Sequence, residues 1–99
     1  MEAMIVIRGT YTAPLEQVDA VRDEHVAWLR ERIAEGRFVA AGRATPPTGS
    51  VMLLSGDDAE GGLALLEADP YVLAGVAEYR LEAVFTPGVH AEGFEPFIS

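Results

Sequence analysis

His25 is the residue of this 99-residue chain whose type and setting first suggest chemistry. At helical spacing it lies among apolar residues, one turn from Val21 and one turn from Leu29, so its imidazole is predicted to point inward. A buried imidazole has to be hydrogen-bonded or to line a cavity. The alternative, given equal weight from the helix alone, is a structural histidine that donates to a backbone carbonyl in the core.

Asp69 is the carboxylate with the most distinctive neighbour, because it directly precedes Pro70. Aspartate at an N-cap followed by proline at the first helical position begins a helical turn without any further function. The two roles are compatible, since one carboxylate oxygen can cap the helix while the other faces a site. Capping alone is the simpler interpretation.

Four further residues are candidates for contact with a substrate. Arg8 lies near the end of a predicted central strand and Arg43 lies in a predicted loop. Either guanidinium could bind a substrate anion. Trp28 and Tyr71 could line a pocket, as could Tyr11, although such aromatic residues more often belong to the core or its rim.

Other kinds of site are not indicated. The chain has no cysteine and only two histidines, His25 and His90. No carboxylate or thiolate pattern joins these histidines at ligand spacing, so no metal site is predicted. Ser50 and Ser55 lack the setting of a nucleophilic serine, and the glycines do not form a phosphate-binding loop.

The order of predicted elements indicates one α+β domain over residues 1–87, followed by a tail over 88–99. Proline, glycine and hydrophobic periodicity divide the chain into a first strand, a long helix, a hairpin of two strands, a second helix, a short helical turn and a last strand. The corresponding ranges are 3–9, about 12–35, 37–41, 50–55, about 58–68, 69–75 and 76–85. This order is the ferredoxin-like βαββαβ plan with a four-stranded antiparallel sheet.

That plan predicts a homodimer. Its central strands are the first and third, and these two segments are apolar on both faces. Two helices cover only one face of a four-stranded sheet, so the other apolar face needs a second cover. A second copy packed sheet on sheet is the economical solution, and assembly beyond a dimer stays open.

Composition excludes several classes of partner. The formal charge is −9, and all seven basic residues are arginines dispersed along the chain, so neither nucleic acid nor an anionic membrane is an expected partner. No segment approaches the roughly 20 apolar residues of a membrane span. With no basic leader segment and no cysteine, a cytoplasmic location is the expectation.

Several segments together resemble the YCII-related (YciI-like) family of small dimeric α/β-barrel proteins. The resemblance rests on EHVAWL at 24–29, GRFVAAG at 36–42, TGSV at 48–51 and DPYVLAGV at 69–76. It implies a ferredoxin-like protomer, a homodimer, and an active site in which a histidine and an aspartate meet, at positions that match His25 and Asp69. Many relatives have proline where this chain has Arg43, which implies a changed pocket entrance.

The same resemblance implies kinship with muconolactone isomerase-like proteins, and with relatives that are dehydrohalogenating lyases on hydroxylated rings. If folding joins His25 to Asp69, the carboxylate fixes the imidazole tautomer and leaves the other ring nitrogen as a base. We therefore expect a cofactor-independent lyase or isomerase acting on a small oxygenated substrate. Two alternatives stay open: a metabolite-binding module without catalysis, and a dimeric accessory protein.

Overall fold

A computed structural model describes residues 3–98 of the chain. Four strands, four helices and one short 3-10 turn follow one another in the described part. In chain order they are β1 (Met4–Tyr11), α1 (Leu15–Asp19), α2 (Arg22–Ala34), β2 (Phe38–Arg43), β3 (Gly49–Ser55), α3 (Ala59–Leu66), α4 (Pro70–Leu73), β4 (Ala77–Phe85) and the 3-10 turn Glu95–Phe97.

The strands form one antiparallel sheet in the order β2-β3-β1-β4. The two segments that are apolar on both faces, β1 and β3, are the central strands, as the ferredoxin-like plan requires. The predicted fold class is therefore confirmed. The predicted division of the chain at residue 87 stays a prediction.

The prediction of one long first helix is wrong, because the segment forms two helices. The break falls at Ala20 and Val21, where Val21 has φ −107° and ψ −2°. The short α1 buries Val18 in a cluster with Tyr71 and its neighbours, whereas α2 buries Leu29 in the main core. The break therefore separates a helix that packs in the Tyr71 cluster from one that packs in the main core.

Strand β4 is paired irregularly with β1. Its pairing with β1 shifts by one residue, so that Ile7 lies opposite Leu81 while the adjacent Val6 lies opposite Ala83. A bulge of this kind changes the face on which the following side chains lie. Strand β2 also extends two residues beyond its predicted end, to Arg43.

Three rows of side chains cross the helix-facing side of the sheet, because residues directly opposite on neighbouring strands share a face. Two rows consist of apolar residues and supply much of the buried core. The third, which we call the polar row, lies at the end of the sheet where β1 finishes. From β2 to β4 the rows are Phe38, Leu54, Ile5 and Val84; Ala41, Met52, Ile7 and Leu81; and the polar row Arg43, Ser50, Gly9 and Tyr79.

The other face of the sheet, here called the open face, is covered only at one end. There Ser55 Oγ donates a 2.7 Å hydrogen bond to the carbonyl of Phe97, so the tail returns to the sheet, and Ile98 is buried. Val51 and Leu53 lie farther along this face, and Val51 is 37% exposed.

Among the helices of residues 3–98, none combines the length and the apolar character needed to cross a bilayer.

Candidate active site

The centre of the candidate site is a contact between His25 and Asp69, which lie 44 residues apart in the sequence. Nδ1 of His25 lies 2.8 Å from Oδ1 of Asp69 and 3.0 Å from Oδ2. Both side chains are buried, and Asp69 has no exposed surface. Because an ionised carboxylate only accepts, Nδ1 must carry the proton in this hydrogen bond.

Asp69 is positioned by the start of helix α4. As the N-cap, its side chain accepts from the backbone N–H of Tyr71 at 2.9 Å, and Pro70 occupies the first helical turn. The capping oxygen is Oδ1, the same atom that lies closest to His25. Capping and contact with the histidine therefore share one oxygen, which differs from the expected division between the two oxygens.

The second carboxylate oxygen of Asp69 is held by a tyrosine of the sheet. Tyr79 donates its hydroxyl proton to Oδ2 at 2.5 Å. Burial, with a further contribution from the neighbouring Asp69 charge, raises the pKa of Tyr79 above its ordinary value. Tyr79 therefore stays protonated as a donor, and three donors hold the carboxylate in one position.

Tyr71 fixes the plane of the imidazole. Its ring stacks on His25 with the centroids 3.6 Å apart and the planes inclined by 7°. Burial, followed by the neighbouring Tyr11, raises the pKa of Tyr71, and the guanidinium groups of Arg43 and Arg22 oppose this shift. The stacked ring and the carboxylate together leave the imidazole little freedom to rotate.

A cavity of about 100 Å³ lies beside His25. It holds roughly three water molecules at about 30 Å³ each, or the reacting end of a small organic molecule. For the described residues, no hydrogen-bond partner is found for Nε2 of His25. The lining residues come from β1, α2, β2, β3 and α4: Tyr11, Arg22, His25, Val26, Leu29, Ala41, Gly42, Arg43, Ser50, Met52 and Tyr71.

Arg43 lies at this cavity in a fixed orientation. Its Nε donates to the hydroxyl of Tyr11 at 2.9 Å, and its Nη2 donates to Oδ1 of Asp19 at 2.5 Å. These two hydrogen bonds, that to Asp19 foremost, raise the pKa of Arg43, so its charge is permanent. The guanidinium also lies over the Tyr11 ring at 5.4 Å.

The other two predicted contact residues lie outside the cavity lining. Arg8 pairs with Glu82 at 3.2 Å, and both side chains are about two-fifths exposed. Trp28 packs edge-on against Phe38 with the centroids 6.1 Å apart, and Arg32 lies over its ring. The structure thus brings His25, Asp69, Tyr71 and Arg43 together, and leaves Arg8 and Trp28 elsewhere.

Two residues at the site were not identified from the sequence. Tyr79 lies in the predicted last strand but was not a candidate, because its hydroxyl contact with Asp69 depends on the pairing of β4 with β1. Ser50 was set aside because it lacks a nucleophile motif. It lines the cavity, and its buried Oγ has no hydrogen-bond partner among residues 3–98.

Residues 3–98 contain no group of three histidine, cysteine, aspartate or glutamate side chains placed to hold a metal ion.

Comparisons with known proteins agree with this architecture. A model of the YCII-related domain matches residues 1–84. A solved structure with a similar fold is the 5-chloro-2-hydroxyhydroquinone dehydrochlorinase TftG of Burkholderia phenoliruptrix AC1100, in complex with 2,5-dihydroxybenzoquinone. The two chains are 18% identical with a TM-score of 0.64, over 82% of this chain and 91% of that one. A search of curated proteins finds no match.

Proposed function

This chain belongs to the YCII-related domain family, and on that basis we propose that it is a cofactor-independent enzyme in which His25 removes a proton from a small oxygenated substrate. The observation that carries the proposal is the 2.8 Å contact between His25 Nδ1 and Asp69 Oδ1 in the wall of a cavity. The fold neighbour is named as a dehydrochlorinase of a hydroxylated ring, which supports elimination as the reaction class.

The chemistry follows from the tautomer. With its proton on Nδ1, a neutral His25 has its lone pair on Nε2. Nε2 takes a proton from a carbon next to a carbonyl group, in a hydroxylated ring by way of the ring's keto tautomer, and the C–H electron pair moves toward the carbonyl oxygen to give an enolate. The resulting imidazolium is stabilised by the Asp69 carboxylate. Return of the proton to another carbon gives isomerisation, and loss of a leaving group such as chloride gives elimination.

The most direct test follows proton exchange at carbon. We expect the protein to catalyse deuterium incorporation from D₂O into one of a panel of small enolisable carbonyl compounds, or chloride release from 5-chloro-2-hydroxyhydroquinone. His25→Gln should lower the rate by about 10²- to 10⁴-fold, the usual contribution of a general base. His90→Gln is the matched control, because His90 is exposed in the tail, and it should leave the rate unchanged.

A substrate-independent measurement tests the tautomer itself. The nitrogen spectrum of imidazole-labelled protein contains only two histidines. We expect His25 to carry its proton on Nδ1 at neutral pH, and Asp69→Asn to alter this preference. A proton found on Nε2, or equal rates for the native protein and His25→Gln, would contradict the proposal. Ligand binding without turnover would instead favour a metabolite-binding module.

We also propose that the protein is a homodimer formed through the open face. The apolar residues Val6, Val51 and Leu53 alternate along the two central strands on this face, and the single chain leaves Val51 more than a third exposed. A second copy would cover them. Sedimentation at micromolar concentration should give twice the mass of one chain, and Leu53→Glu should give a monomer. A native monomer would contradict this.

The expected cytoplasmic location likewise stays a prediction.

A further inference from the structure

The charge around the cavity is opposite to the charge of the whole protein. The chain has 16 acidic and seven basic residues, for a net charge of −9. Yet the cavity is lined by two arginines, Arg22 and Arg43, and by no aspartate or glutamate. A concave site lined by one sign of charge concentrates ligands of the other sign. This local reversal indicates an anionic ligand.

The two arginines differ in how far they are already neutralised. Arg43 pairs with Asp19, but this pair and the bond to Tyr11 use only two of its five N–H donors, which leaves donors in the fixed fork that suits an oxyanion. Arg22 has no ion-pair partner among the described residues. The carboxylate of Asp69 is separated from the cavity by the imidazole of His25, on which it acts.

Ser50 adds a neutral donor on the same side of the cavity. It lies directly opposite Arg43 in the pairing of β2 with β3, so the two side chains emerge from neighbouring positions on one face. Its Oγ is buried and unpartnered within residues 3–98. A buried hydroxyl without a partner lowers the stability of the fold, so a ligand oxygen that accepts its proton would be bound preferentially.

We propose that the His25 cavity takes its substrate as a small organic anion. One charged oxygen lies at Arg43 and Arg22, and an oxygen of the same group or a neighbouring one accepts from Ser50 Oγ. This names the substrate class and rests on the proposed function, in that it takes this cavity as the substrate site. The donors also lie where negative charge would develop when His25 removes a proton, so they would stabilise the resulting enolate.

The test compares two probes of nearly equal shape, propionate and propionamide, which differ in charge and fit the reacting end of the cavity. Each is titrated at constant ionic strength, and binding is read from the imidazole resonances of His25, with those of His90 as an internal reference. We expect propionate to bind at least tenfold more tightly than propionamide, and to shift His25 alone.

Three variants separate the contributions. Arg43→Gln should lower propionate affinity about tenfold and remove the preference for the charged probe. Arg22→Gln should reduce the same preference while leaving the Arg43–Asp19 pair intact, which covers the case in which Arg43→Gln fails to fold. Ser50→Ala should weaken both probes alike, because a carboxylate and an amide carbonyl both accept a hydrogen bond. Arg30→Gln, on the exposed side of α2, is the control with the same change of net charge.

Three results would overturn the proposal. They are equal affinity for the two probes, no response of His25 to either probe up to about 100 mM, and an equal loss of propionate affinity in Arg30→Gln and Arg43→Gln. The outcome is separable from that of the proposed function. His25→Gln should lower the rate of deuterium exchange as stated above but keep the preference for propionate, which is then read from the backbone amide resonances of the cavity. Exchange without a preference for the anion would reject this inference alone. Preference without exchange would reject catalysis alone.

Discussion

The helix-facing side of the sheet has an apolar part and a polar part that differ in what they do for the molecule. Ile5, Ile7, Met52 and Leu54 in the two apolar rows have no exposed surface, so they stabilise the fold by burial. The polar row contains an arginine, a serine, a glycine and a tyrosine. It contributes less apolar burial and instead surrounds the His25–Asp69 pair.

The side chains of the polar row place polar groups at the site and bury less apolar surface than those of the apolar rows. Gly9 provides no side chain, and a Cβ at this position would lie 2.5 Å from Ser50 Oγ and 2.7 Å from a ring carbon of Tyr79. The glycine therefore lets both neighbours lie close to the sheet. Burial in the two apolar rows stabilises the fold, so the polar row can have an arrangement that contributes less to stability.

The largest change in stability is expected in the apolar rows. Leu54→Ala should lower the free energy of unfolding by about 2–5 kcal/mol, because it removes buried methyl groups and leaves a cavity. Chemical denaturation measures this. Leu73→Ala is the control, since Leu73 is 74% exposed, and it should change stability by less than about 0.5 kcal/mol. Similar losses in both variants would contradict the assignment of stability to these rows.

An intermediate change is expected at the centre of the polar row. Gly9→Ala should lower the free energy of unfolding by about 1–3 kcal/mol, since the added methyl group displaces Tyr79 from its bond with Asp69. Gly42→Ala is matched to it, because a Cβ there has no neighbour within 4 Å, and it should be nearly neutral. A thermal melt resolves the two, as 1 kcal/mol corresponds to about 4–8 °C in a domain of this size.

A change no larger than this is expected from the hydroxyl of Tyr79. Tyr79→Phe should destabilise the protein by about 1.5–3 kcal/mol at pH 8, the usual value of a hydrogen bond to a charged group. It should also change how the free energy of unfolding varies with pH in the alkaline range. Burial raises the pKa of Tyr79 from its ordinary 10.0, so above pH 10 the unfolded chain loses this proton while the folded chain keeps it.

The sign of that effect follows from linkage. The contribution of Tyr79 is fully present below pH 10 and is lost as the pH rises through the higher pKa of the folded state, so stability falls with pH in this window. Denaturation curves between pH 8 and pH 11 should show a shallower fall in Tyr79→Phe than in the native protein. An unchanged slope would mean that the phenol is not held as described.

The smallest change is expected on the open face. Arg8→Gln removes the pair with Glu82, in which both side chains are about two-fifths exposed. Compared in the Leu53→Glu background, in which the open face stays uncovered, this exposed ion pair should contribute about 0–1 kcal/mol and be screened by salt, so the difference made by Arg8→Gln should shrink further at high salt. A loss of several kcal/mol would show that this face contributes more than the polar row.

Much of the fold follows from the sequence because its signals are local. Segments that are apolar on both faces identify the strands β1 and β3. Pro70 after Asp69 identifies a helix cap, and the glycines identify turns. The break at Val21 and the bulge in β4 were not predicted, because each is set by contacts with distant residues rather than by the neighbouring sequence. The family was identified from segments at 24–29, 36–42, 48–51 and 69–76, and the domain match confirms it.

The sequence by itself determined that His25 points inward and that Asp69 caps a helix, since periodicity and the Asp-Pro pair are properties of a few adjacent residues. Only the tertiary structure decided that Tyr79 holds the second oxygen of Asp69, that Ser50 and Arg43 flank the same cavity, and that Trp28 and Arg8 do not. The relations of Tyr79, Ser50 and Arg43 depend on strand register, and shifting a strand by one residue moves all its side chains to the other face. Register is fixed by the sheet as a whole.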